Sequence, residues 1–144
     1  MTRKTILEQI KKDLEDNLHS SNNYKSDPTQ IIEGITNFDE AIQRPVIAFM
    51  LTSDTIMDED LGAEDGRERI LNILMYGYED VSYNNYQPLY DLIDDVEKFL
   101  MNTTDFTYTD QTLLGNVSLW TGGVDFNRAY FTLEVQVYYT QTLD

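Results

Sequence analysis

Cysteine is absent from the 144 residues, which removes disulfides, thiolate metal sites and a cysteine nucleophile together and fits a reducing compartment. Basic residues are scarce: ten Lys and Arg stand against 26 Asp and Glu, for a formal net charge of -16. Such a density repels phosphate backbones and anionic headgroups over most of the surface, so neither a membrane nor specific nucleic-acid binding is expected. No apolar run approaches the roughly 18 residues a bilayer span needs. The opening MTRKTILEQIKK has no apolar stretch of the kind a secretory signal carries, so the chain reads as soluble and unprocessed.

Histidine occurs once, at His19, beside Ser20 and Ser21. Sequence neighbours do not make a triad and no G-x-S-x-G elbow is present, so His19 is read as a partner for the free carbonyls at a helix C-terminus. Gly62, Gly66, Gly115, Gly122 and Gly123 form no phosphate loop, since no lysine follows at P-loop spacing. Acidic residues crowd between Asp54 and Asp65, namely Asp54, Asp58, Glu59, Asp60, Glu64 and Asp65. Counting from Asp58 in calcium-loop register, glycine falls one place early, and Arg69 occupies the position that needs a bidentate glutamate. The run is therefore expected to be solvated or to face a partner. Asp94 and Asp95 are expected on a helix surface, with nothing to desolvate them for acid–base work. No catalytic residue, metal site or cofactor is expected, and an enzyme is not.

What the chain does contain is periodicity. Ile6, Leu7, Ile10, Leu14 and Leu18 recur at helical spacing, with Lys11, Lys12, Asp13, Glu15 and Asp16 on the remaining surface. A capping box at Thr5–Glu8 would start this helix, with Thr2 as the alternative cap. The polar stretch from His19 to Pro28 reads as a mobile connection. Residues 29–42 read as a strand with a bulge at Gly34, or as part of a short helix. RPVIAFML is a strand started by Pro45, and the fifteen residues from Thr52 to Gly66 read as a loop. Arg67–Tyr78 resumes as a central strand. A second helix starts near Pro88, with Leu89, Leu92, Ile93, Val96, Phe99 and Leu100 as its apolar stripe. Leu113–Trp120 alternates, TGG makes a turn, and RAYFTLEVQVYYTQ alternates so strictly that it can only be a strand. The whole is expected to be one α+β domain, a mostly antiparallel four- to five-stranded sheet flanked by two amphipathic helices.

Ten tyrosines are an excess that suits protein interfaces, and Tyr130 and Tyr138 fall on the polar face of the closing strand. Arg3, Lys4, Lys11 and Lys12 place four of the ten basic residues in the first dozen positions. With the acidic run, they are candidates for contacts between subunits.

The order of amphipathic helix, RPVIAFML, ERILNILMYGYED, NNYQPLYDLIDDVEKFL, a strand ending in Leu119-Trp120, and RAYFTLEVQVYY resembles the tail terminator (tail completion) proteins of long-tailed bacteriophages. The resemblance implies a subunit of a hexameric ring at the head-proximal end of the tail tube. Such a ring stops tube polymerisation, meets neck and head connector proteins and, in contractile tails, the sheath protein. DNA would pass through it without sticking, and the protein would belong to the virion neck after assembly in the host cytoplasm. Another neck or head-completion connector, or an acidic inhibitor that mimics DNA, are the alternatives.

Overall fold

The computed structural model describes residues 2–34, 44–57, 67–82, 84–121 and 127–141. Helix α1 (Arg3–Asn17) starts at Thr2, whose Oγ1 accepts from the Thr5 backbone N–H at 3.2 Å. Thr2, not Thr5, is therefore the cap. Glu8 does not reach back to close a capping box but stands 3.8 Å from Lys4, one helical turn away. Ile6, Leu7, Ile10 and Leu14 form the buried stripe that the spacing predicted.

Five strands make one sheet: β1 (Gln30–Glu33), β2 (Val46–Ile56), β3 (Arg67–Asp80), β4 (Thr112–Thr121) and β5 (Arg128–Gln141), in the order β1-β2-β3-β5-β4. Only β1 and β2 run parallel, and the other three pairings are antiparallel. Strand β3 is central, as its apolar character on both faces implied, and it pairs with β5 along the full length of both strands. Helix α2 (Gln87–Leu100) carries Pro88 in its first turn and buries Leu89, Leu92, Ile93, Val96, Phe99 and Leu100. Both helices lie on the same side of the sheet. Their stripes share one core with Ile47, Phe49, Leu71, Ile73, Met75, Phe131, Leu133, Val135 and Val137, the inward residues of β2, β3 and β5. The protein is thus an α+β fold in two layers.

Five expectations need correction. Gly34 does not bulge a strand: β1 ends at Glu33, and Gly34 follows it with φ 114°, its N–H donating to the Phe49 carbonyl at 2.7 Å. The segment Thr52–Ile56 is not loop, because β2 runs on through it after a register shift between Leu51 and Ser53. Its polar residues deceive because their partners lie on the neighbouring strand: Asn72 Nδ2 donates to Ser53 Oγ at 2.9 Å, and Arg69 Nε donates to Asp54 at 2.8 Å. The rest of the expected loop, 58–66, falls outside the described residues, as do 35–43 of the ambiguous segment.

Asp13 and Asp95 were expected at the helix surface, and both are buried. Each accepts backbone N–H groups from a distant segment: Asp13 from Thr107 at 2.9 Å, Asp95 from Lys25 at 3.0 Å and Ser26 at 2.7 Å. A buried carboxylate survives only with such partners. Asp94 is exposed, as expected. The connection from His19 to Pro28 is likewise pinned, not mobile. Asp95 fixes its backbone, and the buried Tyr24 hydroxyl donates to Asp105 at 2.6 Å.

Candidate functional site

The sheet face away from the helices is the surface left for contact, because no described helix covers it. Period-two geometry sends Tyr76 and Tyr78 of β3 to this face, and strand register then places Tyr130 of β5 opposite Tyr78, and Trp120 of β4 opposite Tyr130. The rings touch in sequence. Tyr76 and Tyr78 stack at 6.2 Å between centroids, Tyr78 and Tyr130 lie 5.7 Å apart, and Tyr130 and Trp120 stack at 6.1 Å. These separations fall within the range where aromatic pairs add about 0.5–1.5 kcal/mol beyond area burial. The row is graded in exposure. Tyr78 is buried with Val46 and Ala48, Tyr76 and Tyr130 are half-buried, and Trp120 is 51% exposed.

Burial, and then repulsion from Tyr76 and Tyr130 once they ionise, push Tyr78 from 10 up to about 12. Tyr24, Tyr108 and Tyr139 are also raised, each mainly by burial. The neutral phenol is favoured in the folded chain. The resulting stability is complete below pH 10, the unfolded value, and is lost as pH rises toward about 12 for Tyr78. A spectrophotometric titration of tyrosinate should therefore resolve a late-ionising group of tyrosines whose ionisation coincides with loss of far-ultraviolet circular dichroism. Tyr78→Phe should move that unfolding to higher pH. Ionisation of every tyrosine in one reversible step with the fold intact would refute the burial argument.

Beyond the aromatic row, the same face turns polar. Gln136 Nε2 donates to Asn72 Oδ1 at 3.0 Å, and Asn72 Nδ2 bonds Ser53. Irregularities on both sides, between Leu51 and Ser53 in β2 and between Leu114 and Val117 in β4, bend the strands around a trough of about 710 Å³. Gly115 is at the β4 irregularity because a Cβ there would meet Glu134 Cβ at 3.0 Å. The trough has amide, hydroxyl and one carboxylate group but no cluster of ionisable side chains. Among the described residues no three His, Asp or Glu converge as metal ligands, and no helix is long and apolar enough to cross a membrane.

Strand β4 closes the sheet at one edge. Its sequence TLLGNVSLWT has no charged residue and no proline, and Leu113, Leu119 and Trp120 are each about half exposed. Every other described strand carries at least one charge.

The candidate contact residues are dispersed. Arg3 and Asp54, expected to meet partners on other subunits, meet each other: Arg3 Nε donates to Asp54 Oδ2, while Arg69 Nε and the Tyr139 hydroxyl also donate to that carboxylate. Burial alone would raise the Asp54 carboxyl, but the three donors hold it below the usual carboxylate range. The cluster ties the start of α1 to β2, β3 and β5. Lys4 faces Glu8 and Lys11 faces Glu15, both at helical i,i+4 spacing, while Lys12 is exposed. Asp58, Glu59, Asp60, Glu64 and Asp65 lie outside the described residues. Tyr130 and Tyr138 are half-buried on the helix-free face, Tyr130 in the middle of the ring row. His19 Nε2 bonds the Asp16 carbonyl oxygen at 3.0 Å, the helix-end contact expected of it. Its Nδ1 accepts from Ser21 Oγ at 2.6 Å on an exposed turn.

Trp120 was not singled out as a contact residue, and Tyr76 and Tyr78 counted only as part of the tyrosine excess. Their parity was legible, but the register that aligns them with Tyr130 was not. No protein-family model matches this sequence, and no curated protein does.

Proposed function

We propose that this chain is the tail terminator of a long-tailed bacteriophage: a structural subunit that assembles into a ring, caps the head-proximal end of the tail tube, stops its growth and presents a seat for neck proteins. The observation that carries the reading is the pairing of a helix-free aromatic sheet face with an uncharged edge strand, which is equipment for binding by shape. The element order quoted for the resemblance supports it, since each stretch contains a helix or strand of the type it was assigned. The charge supports it as well, because a -16 subunit lining a DNA passage repels the duplex.

Partners in this reading are further copies of the chain, the tube protein, the neck connector and, in a contractile tail, the sheath. The test is electron microscopy of tubes polymerised from purified tube protein with and without this chain. Tubes of unlimited length without it, and short tubes bearing an end cap with it, are the expected pair. Unlimited growth in its presence would rule the reading out.

A further inference from the structure

We infer that the uncharged edge of β4 is the seam between copies, pairing antiparallel with the β1 edge of the next subunit so that the sheet continues from one chain into its neighbour. The inference rests on the ring assembly proposed above and specifies how its subunits join.

A strand edge offers unpaired N–H and C=O groups, and soluble proteins usually blunt it with lysine, proline or a covering element. Strand β4 has neither lysine nor proline, and its register shift between Leu114 and Val117 leaves Val117–Thr121 as an unbroken stretch. Leu119 and Trp120, 49% and 51% exposed, stand on opposite faces of that stretch. Leu119 pairs with Phe131 on the helix side, and Trp120 with Tyr130 on the aromatic side.

The choice of occupant follows from charge and topology. Two copies at -16 each repel, and they come together at least cost where the seam carries little charge. Among the described strands β4 is the one with no charge, and β1 carries a single one, Glu33. The opposite edge of the same sheet, β1, is the complement. Strand direction alternates from β2 through β3 and β5 to β4, and β1 runs parallel to β2. A neighbour set down beside β4 in the same orientation therefore presents β1 antiparallel to it, with its helices on the same side. The pleat then matches apolar residues on both faces. Ile31 pairs with Ile47 and belongs to the helix side, with Leu119; Ile32 pairs with Ala48 and belongs to the aromatic side, with Trp120. Such a joint is heterologous, the kind that builds rings.

This seam has a salt signature opposite to that of a seam made by basic and acidic segments. Salt screens repulsion between like-charged subunits, with a Debye length falling from about 10 Å at 0.1 M to about 3 Å at 1 M. Association through β4 should therefore strengthen as salt rises.

The experiment is light scattering after size exclusion, on the full chain across a salt series, with Leu119→Lys, Ile32→Lys and the control Met101→Lys. Met101 is 63% exposed at the end of α2, so the control makes the same charge change away from either edge. Wild type and Met101→Lys should form discrete oligomers more readily at high salt, and each edge variant should shift the dissociation constant at least tenfold toward monomer. Equal mixing of the two edge variants should restore no more than dimers, since each retains one intact edge. Oligomers that ignore Leu119→Lys, association that weakens with salt, a wild type that stays monomeric throughout, or polydisperse aggregates in place of defined rings would each overturn the seam. Tube capping reads the other proposal separately: a Leu119→Lys variant that still caps tubes as a ring removes the seam and leaves the terminator reading. Salt-strengthened rings from a chain that does not limit tube length do the reverse.

Discussion

Phe131→Ala is expected to destabilise the fold by about 3–5 kcal/mol, the range for truncating a fully buried aromatic. The Phe131 ring is fully buried in the centre of the core, directly across the strand pair from Gly77. A Cβ built on Gly77 would lie 2.1 Å from Phe131 Cε1 and 2.7 Å from Cζ. The glycine is the socket for the ring, so a central strand tolerates it despite its poor strand propensity. Gly77→Ala should cost about 1–3 kcal/mol through overpacking, because the ring is enclosed on every side. The two effects are coupled. Gly77→Ala combined with Phe131→Leu should be less destabilising than the sum of the single changes, by about 0.5–3 kcal/mol. Urea denaturation of the four proteins measures this, and strict additivity would show that ring and glycine do not contact each other.

Asp95→Ala should cost about 3 kcal/mol, since a hydrogen bond to a charged group contributes about 1.5–3 kcal/mol and this carboxylate accepts two. Its partners are the backbone N–H groups of Lys25 and Ser26, which have no strand or helix of their own to satisfy them. Removing the carboxylate takes the partner from both donors, the buried one of Ser26 and the part-buried one of Lys25, and frees the connection between α1 and β1. Asp95→Asn, which keeps one oxygen acceptor, should cost less. Asp94→Ala, next door on the exposed face, should stay within about 0.5 kcal/mol, because its contact with Lys25 at 3.8 Å is a solvated surface pair. Matching losses at positions 94 and 95 in chemical denaturation would contradict the pinning role.

These two residues also mark how far the sequence could be read. Periodicity located both helices and the long strands because each element buries one face, and the spacing of Leu89, Leu92, Val96 and Phe99 carries that information by itself. The strict alternation of β5 likewise puts Ala129, Phe131, Leu133, Val135, Val137 and Tyr139 on one face, and that face is the buried one. What periodicity does not encode is which residues are brought together by a distant segment. Asp13 and Asp95 sit among other acidic residues on helices of a -16 chain, and only the tertiary arrangement reveals that backbone donors 94 and 69–70 residues away face them. Asp54 is the same case, since its two arginines and Tyr139 come from three different elements. The aromatic row was half legible: tyrosine excess pointed to a contact surface, but alignment across β3, β5 and β4 is a matter of register. Edge position is likewise a topological property, and the neutrality of TLLGNVSLWT acquires meaning only once β4 stands last in the sheet.

The full-length pairing of β3 with β5 has a kinetic consequence. Every rung between them closes a loop that contains all of α2 and β4, so the entropy of a long closure must be met before the central ladder stabilises anything. Until β5 arrives, β3 stands as a second raw margin, and β4 has no partner at all. A chain whose β5 has not yet docked would therefore expose two open strand margins to other copies, so refolding yield is expected to fall as concentration rises.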